Sequence, residues 1–364
     1  MGWTVLLLLV LAATGAILFW LKSPGTVPPL RDASGALIPG SISERVTVDI
    51  GGVPQGMIVE SADPSNPVLL FLHGGPGMPE YFLRTTHPTG LEQDFTLVWW
   101  EQRGAGLSWS PDLDQGELTI DRLMRATIEV ADYLRERFDQ DRILLVGHSW
   151  GSFLGLQVAA RAPERFTTYV GMAQVAHQPR SEIMAREVMI AAYRTRGDTR
   201  MVRRLEAAPV SMEDGMSNAY LRLRDTATHR LGGGTTRDMA SVITGVFLPV
   251  MRLPVYTTNE KIGLWRGKAW SRAILWQDVL HTDLTALVHR FEIPVHFFIG
   301  AHDLTAMPAL SRELFDRIEA PEKHYHVFEN SAHSPIFEEP EKARTILRGI
   351  VSENRSDGPH RGRQ

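Results

Sequence analysis

The chain has 364 residues, 43% of them hydrophobic, and a formal net charge of -4. This composition is sufficient for a buried core and excludes a disordered chain, and the small, unclustered charge argues against a nucleic-acid partner. Because the chain contains no cysteine, it has no disulfide, no thiolate nucleophile and no cysteine metal site.

An uncharged apolar run extends from Trp3 to Leu21 and ends at Lys22. Its length approaches the roughly 20 residues that a helix needs to cross a bilayer, and it lacks the basic start of a cleaved signal peptide. We therefore predict a single-pass transmembrane anchor at residues 1–22, with the membrane as a partner, and a proline-rich linker at residues 23–41. Lys22 and Arg31 follow the run, which favours a cytoplasmic location for the rest of the chain.

Strand-like and helix-like patterns alternate from Arg45 onward. A hairpin is predicted around Gly51 and Gly52, and the segments PVLLFLH, FTLVWWEQ, RILLVGH and TTYVGMA read as buried strands with helical segments at 120–138 and 153–166. The strands IPVHFFIG and HYHVF come later, with helices at 310–318 and 340–350. Such alternation predicts an α/β fold, a mostly parallel twisted sheet with helices on both faces.

The alternation is interrupted in the middle of the chain. Residues 178–289 contain helical patterns and few strand signals, so we predict a helical cap there, inserted in a core formed by residues 42–177 and 290–352. The polar tail at residues 353–364 is predicted to be disordered. The sequence leaves the oligomeric state open.

A serine lies between two glycines in Gly147-His148-Ser149-Trp150-Gly151, after a predicted strand and before a predicted helix. This G-x-S-x-G pattern in this context is typical of a nucleophile elbow, whose sharp turn exposes the serine hydroxyl. The same residue types also occur in ordinary turns, so the pattern needs supporting residues elsewhere.

Serine attacks a carbonyl only when a base removes its proton and an acid orients that base. Asp303 follows the strand PVHFFIG and His333 follows the strand HYHVF, in the chain order serine, acid, histidine. We therefore predict Ser149, Asp303 and His333 as a catalytic triad.

A glycine-rich loop, His73-Gly74-Gly75-Pro76-Gly77, follows the strand PVLLFL. Such a loop can present bare backbone N–H groups to a developing oxyanion. The expected donors are the N–H groups of Gly75 and of Trp150, the residue after the nucleophile.

These motifs, HGGPG, EQRGAGLS at residues 101–108, and GHSWGS, together resemble the α/β-hydrolase fold and, within it, the proline iminopeptidase family. The resemblance covers roughly residues 45 to 350. It implies a serine hydrolase with a helical cap and without a metal or other cofactor, acting on a small molecule or short peptide. It also makes His73, Glu101 and Glu182 candidates for substrate contact.

Three positions depart from the family pattern. Glu101 replaces the usual aspartate, His148 stands where glycine is common, and the W-S-x-W-E pattern has only a partial echo at Trp270, Ser271 and Trp276. Cleavage of an ester, as in a carboxylesterase or a lipase-like esterase, therefore stays open beside aminopeptidase activity. An inactive, membrane-tethered binding protein is the alternative from another class. Ser149 at the elbow argues against an epoxide hydrolase or dehalogenase, which use a carboxylate nucleophile.

Overall fold

The computed structural model describes Val5, residues 19–213 and residues 215–356. Eight strands form one sheet in the order β1-β2-β4-β3-β5-β6-β9-β10. They are Ile42–Ile50 (β1), Val53–Ser61 (β2), Val68–Leu72 (β3), Thr96–Trp100 (β4), Ile143–His148 (β5), Phe166–Met172 (β6), Val295–Gly300 (β9) and Lys323–Phe328 (β10). A separate pair is formed by Val210–Ser211 (β7) and Gly215–Met216 (β8).

Helices connect and cover these strands. The α-helices are Tyr81–Thr86 (α1), Ile120–Arg137 (α2), Trp150–Arg161 (α3), Gln178–Thr195 (α4), Thr199–Glu206 (α5), Asn218–Leu231 (α6), Leu248–Arg252 (α7), Thr258–His281 (α8), Leu284–Leu287 (α9), Pro308–Arg317 (α10), Pro335–Glu338 (α11) and Pro340–Ser356 (α12). Short 3-10 turns lie at Leu91–Gln93, Gly106–Ser108, Gln115–Glu117 and Pro163–Arg165, and a π-helix lies at Ile243–Phe247.

The sheet is parallel from β4 to β10, whereas β1 pairs antiparallel with β2 and β2 pairs antiparallel with β4. The predicted hairpin, the buried strands and the mostly parallel sheet are thus confirmed. Parallel strands need crossovers, and the helices between them supply these connections.

Alternate residues of the central strands point to opposite faces of the sheet and are buried there in two separate cores. Leu70 and Leu72 belong to a core shared with Leu123 of α2 and Phe153 of α3. Leu69 and Phe71 belong to a second core that includes residues of α1 and α12. Helices therefore pack on both faces, and the carboxyl ends of β3, β5, β9 and β10 meet at one edge.

The segment between β6 and β9 is mainly helical. Helices α4, α5 and α6 share a third apolar core that contains Met189, Tyr193, Leu205 and Tyr220. Two residues from the loop after β9, Leu304 and Met307, complete this core. The helical segment is therefore packed onto the sheet edge where the candidate side chains lie.

The predicted membrane location is wrong, since no helix in the described part of the chain is long and apolar enough to cross a bilayer. Most of the apolar run on which it rested, residues 1–4 and 6–18, lies outside the described residues. In its described end, Phe19 contacts the protein, with its ring centroid 4.9 Å from the Lys261 ammonium, which also donates to the Ser23 hydroxyl at 2.7 Å, whereas Trp20 and Leu21 are exposed. Of the tail predicted to be disordered at residues 353–364, residues 353–356 belong to helix α12, and the rest lies outside the described residues.

Candidate active site

Ser149 lies in the sharp turn between β5 and α3. Its backbone angles, φ 53° and ψ −117°, fall in a region that residues with a side chain rarely adopt. Its N–H donates to the Met172 carbonyl at 3.0 Å, so the turn is tied to the neighbouring strand β6. A Cβ at Gly151 would overlap the Leu72 carbonyl oxygen, and one at Gly147 would overlap the carbonyl of Gly151. Both flanking glycines are required by this close approach.

Asp303 and His333 meet after the ends of β9 and β10. The Asp303 Oδ2 atom lies 2.8 Å from His333 Nδ1, and both side chains are buried. The other carboxylate oxygen accepts the N–H groups of Thr305 at 2.7 Å and Ala306 at 3.0 Å. A carboxylate only accepts hydrogen bonds, so Nδ1 of His333 carries the proton and Nε2 is the basic nitrogen.

The His148 side chain connects the Ser149 turn to the backbone of the His333 loop. His148, the residue before Ser149, has its Nε2 atom 2.7 Å from the His333 carbonyl oxygen. No hydrogen bond joins the Ser149 hydroxyl to His333 within the described residues. Such contacts are often long before substrate binds and shorten in the complex.

The two predicted oxyanion donors lie beside Ser149. Gly75 and Trp150 line the same cavity of about 140 Å³ as Ser149. Gly75 has a φ of 125°, and a Cβ there would lie 2.7 Å from the N atom of Met78. Across the described ranges, neither the Gly75 nor the Trp150 N–H has a hydrogen-bond partner, so both are available to a ligand.

Gln102 connects the two loops that carry the predicted oxyanion donors, a contact that was not predicted from the sequence. Its Oε1 atom accepts from Trp150 Nε1 at 2.8 Å, and its Nε2 atom donates to the His73 carbonyl at 3.2 Å. The Gln102 N–H in turn donates to His73 Nε2 at 3.2 Å. The only sequence signal for this residue is its position in the EQRG stretch.

Two candidate substrate contacts lie behind the glycine-rich loop. His73 and Glu101 line a separate cavity of about 10 Å³. Burial lowers the pKa of His73, despite the opposing effects of Gly74 and Glu80, so its ring is neutral. The structure therefore does not bring these two side chains to the cavity that contains Ser149.

The carboxylate of Glu101 supports the turn that follows β4. It accepts hydrogen bonds from the Leu107 N–H and the Tyr256 hydroxyl. Burial raises the pKa of Glu101 to about 7, although both of these hydrogen bonds act in the opposite direction. Tyr256 belongs to the helical segment, so Glu101 connects that segment to the sheet.

Glu182 does line the cavity with Ser149, but donors already surround its carboxylate. Arg224 lies 2.8 Å from both carboxylate oxygens, and the Tyr220 hydroxyl and Gln178 Nε2 donate at 2.9 and 2.8 Å. Asp225, which also lines the cavity, lies 3.2 Å from Arg224. Arg272 lines the same cavity, so the cavity's two carboxylates, Glu182 and Asp225, are matched by two guanidinium groups.

Among the residues that the structure describes, no group of three or more histidine, aspartate and glutamate side chains is arranged to hold a metal ion. The side chains around Ser149 are instead arranged as hydrogen-bond donors and acceptors.

Known proteins share both the sequence and the fold. The family model described as "alpha/beta hydrolase fold" matches residues 67–340. A probable aminopeptidase of Bacillus subtilis (strain 168), YbaC, is 32% identical over 302 residues, which cover 82% of this chain and 93% of the relative. A proline iminopeptidase of Clostridium botulinum is 23% identical over 295 residues, covering 79% of this chain and 90% of that protein.

Solved structures agree at the level of the fold. A proline iminopeptidase-related protein from Thermus thermophilus has a TM-score of 0.58 at 21% identity, covering 85% of this chain and 98% of its own. Proline iminopeptidase from Mycobacterium smegmatis has a TM-score of 0.55 at 20% identity, covering 86% and 100%.

The names of the relatives are those of enzymes, and they give no support to the alternative of an inactive, membrane-tethered binding protein. The family match spans most of the chain, and the B. subtilis relative agrees with it over nearly its whole length. The chain therefore belongs to the α/β-hydrolase fold family and is a hydrolase that resembles the proline iminopeptidases.

Proposed function

We propose that this hydrolase cleaves an amide or ester bond through a covalent acyl intermediate on Ser149. His333 Nε2 accepts the hydroxyl proton while Ser149 Oγ bonds to the substrate carbonyl carbon, and the proton then passes to the leaving group as its bond breaks. Water, deprotonated by His333, next attacks the acyl carbon and releases the acid and the free Ser149 hydroxyl. Asp303 holds the His333 ring in its tautomer and stabilises the charged ring in both steps.

The N–H groups of Gly75 and Trp150 stabilise the oxyanion of each tetrahedral intermediate. This role is supported by the position of both residues in the lining of the Ser149 cavity, where neither N–H has a hydrogen-bond partner among the described residues. One such donor contributes roughly 3–4 kcal/mol to lowering a barrier of this kind. Gln102 bonds to the Trp150 side chain and to the His73 carbonyl, and so holds the two loops that carry the donors in a fixed relative position.

The observation that carries this proposal is the position of Ser149. A serine held at φ 53° after the parallel strand β5 lines a cavity, and at the same edge of the sheet a histidine after β10 is bonded to a buried carboxylate after β9. Backbone strain of this type is concentrated at functional sites.

For the substrate, we propose a short peptide or aminoacyl compound with a free amino terminus. The relatives named probable aminopeptidase and proline iminopeptidase support this class. Within the Ser149 cavity, the carboxylates of Glu182 and Asp225 are acceptors for an ammonium group, while Arg224 and Arg272 balance their charge. Cleavage would release the first residue as the acyl part.

A specific observation keeps an esterase as the second candidate. The Glu182 carboxylate already accepts hydrogen bonds from Arg224, Tyr220 and Gln178. An incoming ammonium group would have to displace these donors or share the Glu182 carboxylate with them, which an uncharged acyl group would not require.

Assays of the full-length chain against two panels of substrates distinguish an aminopeptidase from an esterase. One contains p-nitrophenyl esters of increasing acyl length, and the other contains aminoacyl-naphthylamides, including that of proline, with Ser149→Ala as the control. We expect turnover of aminoacyl-naphthylamides, blocked by acetylation of the substrate amine. Turnover of esters alone would identify an esterase, and turnover by the Ser149→Ala variant would contradict the proposed nucleophile.

A further inference from the structure

His148 lies between the nucleophile and the base and uses both ring nitrogens. It is buried and directly precedes Ser149, at the end of β5. Its Nε2 atom lies 2.7 Å from the carbonyl oxygen of His333, and its Nδ1 atom lies 2.7 Å from Oε2 of Glu80. The rings of His148 and His333 also pack, with centroids 5.0 Å apart.

A carbonyl oxygen accepts hydrogen bonds and cannot donate them, so the Nε2 atom of His148 must carry a proton directed at His333. Burial opposes a charged ring, but the Glu80 carboxylate and the His333 carbonyl outweigh that effect and raise the pKa of His148. Both nitrogens of His148 then donate, one to each partner.

Glu80 extends the same network to the oxyanion loop. Its Oε2 atom accepts the Gly74 N–H at 3.0 Å. A Cβ at Gly74 would lie only 2.7 Å from Oε1 of Glu80, so the loop backbone rests directly on the carboxylate. Glu80 itself is buried, with 8% of its surface exposed.

We propose that His148 and Glu80 are positioning residues that hold the oxyanion loop, the nucleophile turn and the histidine loop in one arrangement. This inference rests on the proposed serine hydrolase function. The donor to the His333 carbonyl fixes the backbone from which the base projects, and the acceptor for Gly74 fixes the residue before the Gly75 donor. A displacement of about 1 Å in such groups lowers a rate by roughly 100-fold.

Two substitutions at position 148 separate the two arms of the network. In His148→Gln, the side-chain amide reaches the place of Nε2 and can still donate to the His333 carbonyl. In His148→Asn, the shorter amide reaches the place of Nδ1 and can contact only Glu80. His296→Gln is the matched control, because His296 is a buried, hydrogen-bonded histidine at the opposite end of its strand from Asp303.

For each full-length variant, kcat and KM are measured on the preferred substrate, together with the rate of labelling by a fluorophosphonate and the midpoint of thermal unfolding. We expect His148→Asn to lower kcat and the labelling rate by about 100-fold at an unchanged KM. His148→Gln should retain kcat within about tenfold, and His296→Gln should match the wild type.

Glu80 is tested by the pair Glu80→Gln and Glu80→Ala. Glutamine preserves an acceptor for Gly74 and a contact with His148, so it should restore most of the kcat that alanine loses. All assays are run well below the unfolding midpoint of each variant, so that a loss of stability alone does not alter the rates.

Equal kcat in His148→Asn and the wild type would overturn the proposal. So would equal losses in His148→Asn and His148→Gln, because these would indicate a packing role without a directed donor. If the wild type itself is not labelled at Ser149, the proposed function fails instead, and the two failures are thereby distinguished.

Discussion

Ser149 adopts backbone angles that cost of order 1–3 kcal/mol for a residue with a side chain, and the surrounding turn must maintain them. The strain places the hydroxyl at the sheet edge, while Asp303 binds His333 at 2.8 Å. Under the proposed mechanism these three side chains act as a unit. Loss of either reacting group should therefore remove nearly the whole of their joint contribution.

We expect Ser149→Ala and His333→Ala each to reduce kcat by on the order of 10⁴-fold or more, and by similar factors. The physical reason is that the nucleophile is inactive without the base and the base has no partner without the nucleophile. Steady-state kinetics on the preferred substrate provides the measurement, with the exposed residues Ser65 and His289 changed to alanine as controls. Substantial activity in His333→Ala would show that the base is misassigned.

Asp303→Asn should leave the fold intact and still reduce kcat by on the order of 10⁴-fold. An asparagine amide can donate to Nδ1 of His333, which moves the ring proton to Nε2 and removes the basic nitrogen. The comparison is with Asp112→Asn, at an exposed turn. A loss of less than tenfold would mean that Asp303 does not orient the base.

Residue types and spacing were enough to predict Ser149, Asp303 and His333 as candidates, because each follows its own strand in a recognisable loop. The roles of Gln102 and His148 were not predictable in that way. Their partners lie far away in the sequence: His148 and His333 are separated by 185 positions. Only the folded sheet shows that these side chains meet.

The turn from β5 to α3 is the element on which the site depends. Gly151 is the second residue of α3, where this helix passes close to the end of β3. A Cβ at Gly151 would collide with the backbone oxygen atoms of Leu72 and His73. Backbone atoms cannot move aside as a flexible side chain can, so the crossing itself would have to open.

Gly151→Ala should lower the free energy of unfolding by about 1–3 kcal/mol or more, and should slow catalysis by displacing Ser149. Gly349→Ala is the matched control, since a Cβ at this position in α12 meets no atom within 4 Å and alanine favours a helix. Urea denaturation of both variants measures the difference. Equal stability in Gly151→Ala and the wild type would contradict the tight crossing.

At the scale of elements, periodicity predicted most strands well because their apolar runs are short and end at turn residues. Helix α3 was displaced: the predicted helix at 153–166 is observed at Trp150–Arg161, since the strained turn lets the helix begin directly after Ser149 and Pro163 prevents its continuation. The membrane location predicted from hydropathy was wrong; Phe19, in the described end of the apolar run, contacts Lys261 of α8.

Across the whole molecule, the helical segment and the sheet are joined by buried polar contacts as well as by apolar packing. Glu101 after β4 binds Tyr256 of the helical segment, and its pKa is raised by burial to about 7 from the usual 4.5. From the sequence, Glu101 is a variant of a family motif and a candidate for substrate contact; its burial and its contact with Tyr256 are properties of the assembled fold.

Because the pKa of Glu101 is raised in the folded protein, its contribution to the free energy of unfolding decreases as pH rises. As pH rises, the unfolded chain loses the Glu101 proton near pH 4.5 while the native chain retains it to about pH 7, so the free energy of unfolding falls across that interval. Glu101→Gln should remove this slope. As pH rises from 4.5 to 8, the free energy of unfolding of this variant should increase relative to that of the wild type by up to about 3 kcal/mol. Urea midpoints of both proteins across that range test it, and parallel profiles would contradict it.

Labelling of the full-length protein by a fluorophosphonate, followed by intact-mass measurement and peptide mapping, tests the central claim most directly. We predict one adduct per chain, located on Ser149, with no labelling of the Ser149→Ala variant and slow labelling of the His333→Ala variant. An adduct on another residue, or a folded wild-type protein that is not labelled at all, would contradict Ser149 as the nucleophile.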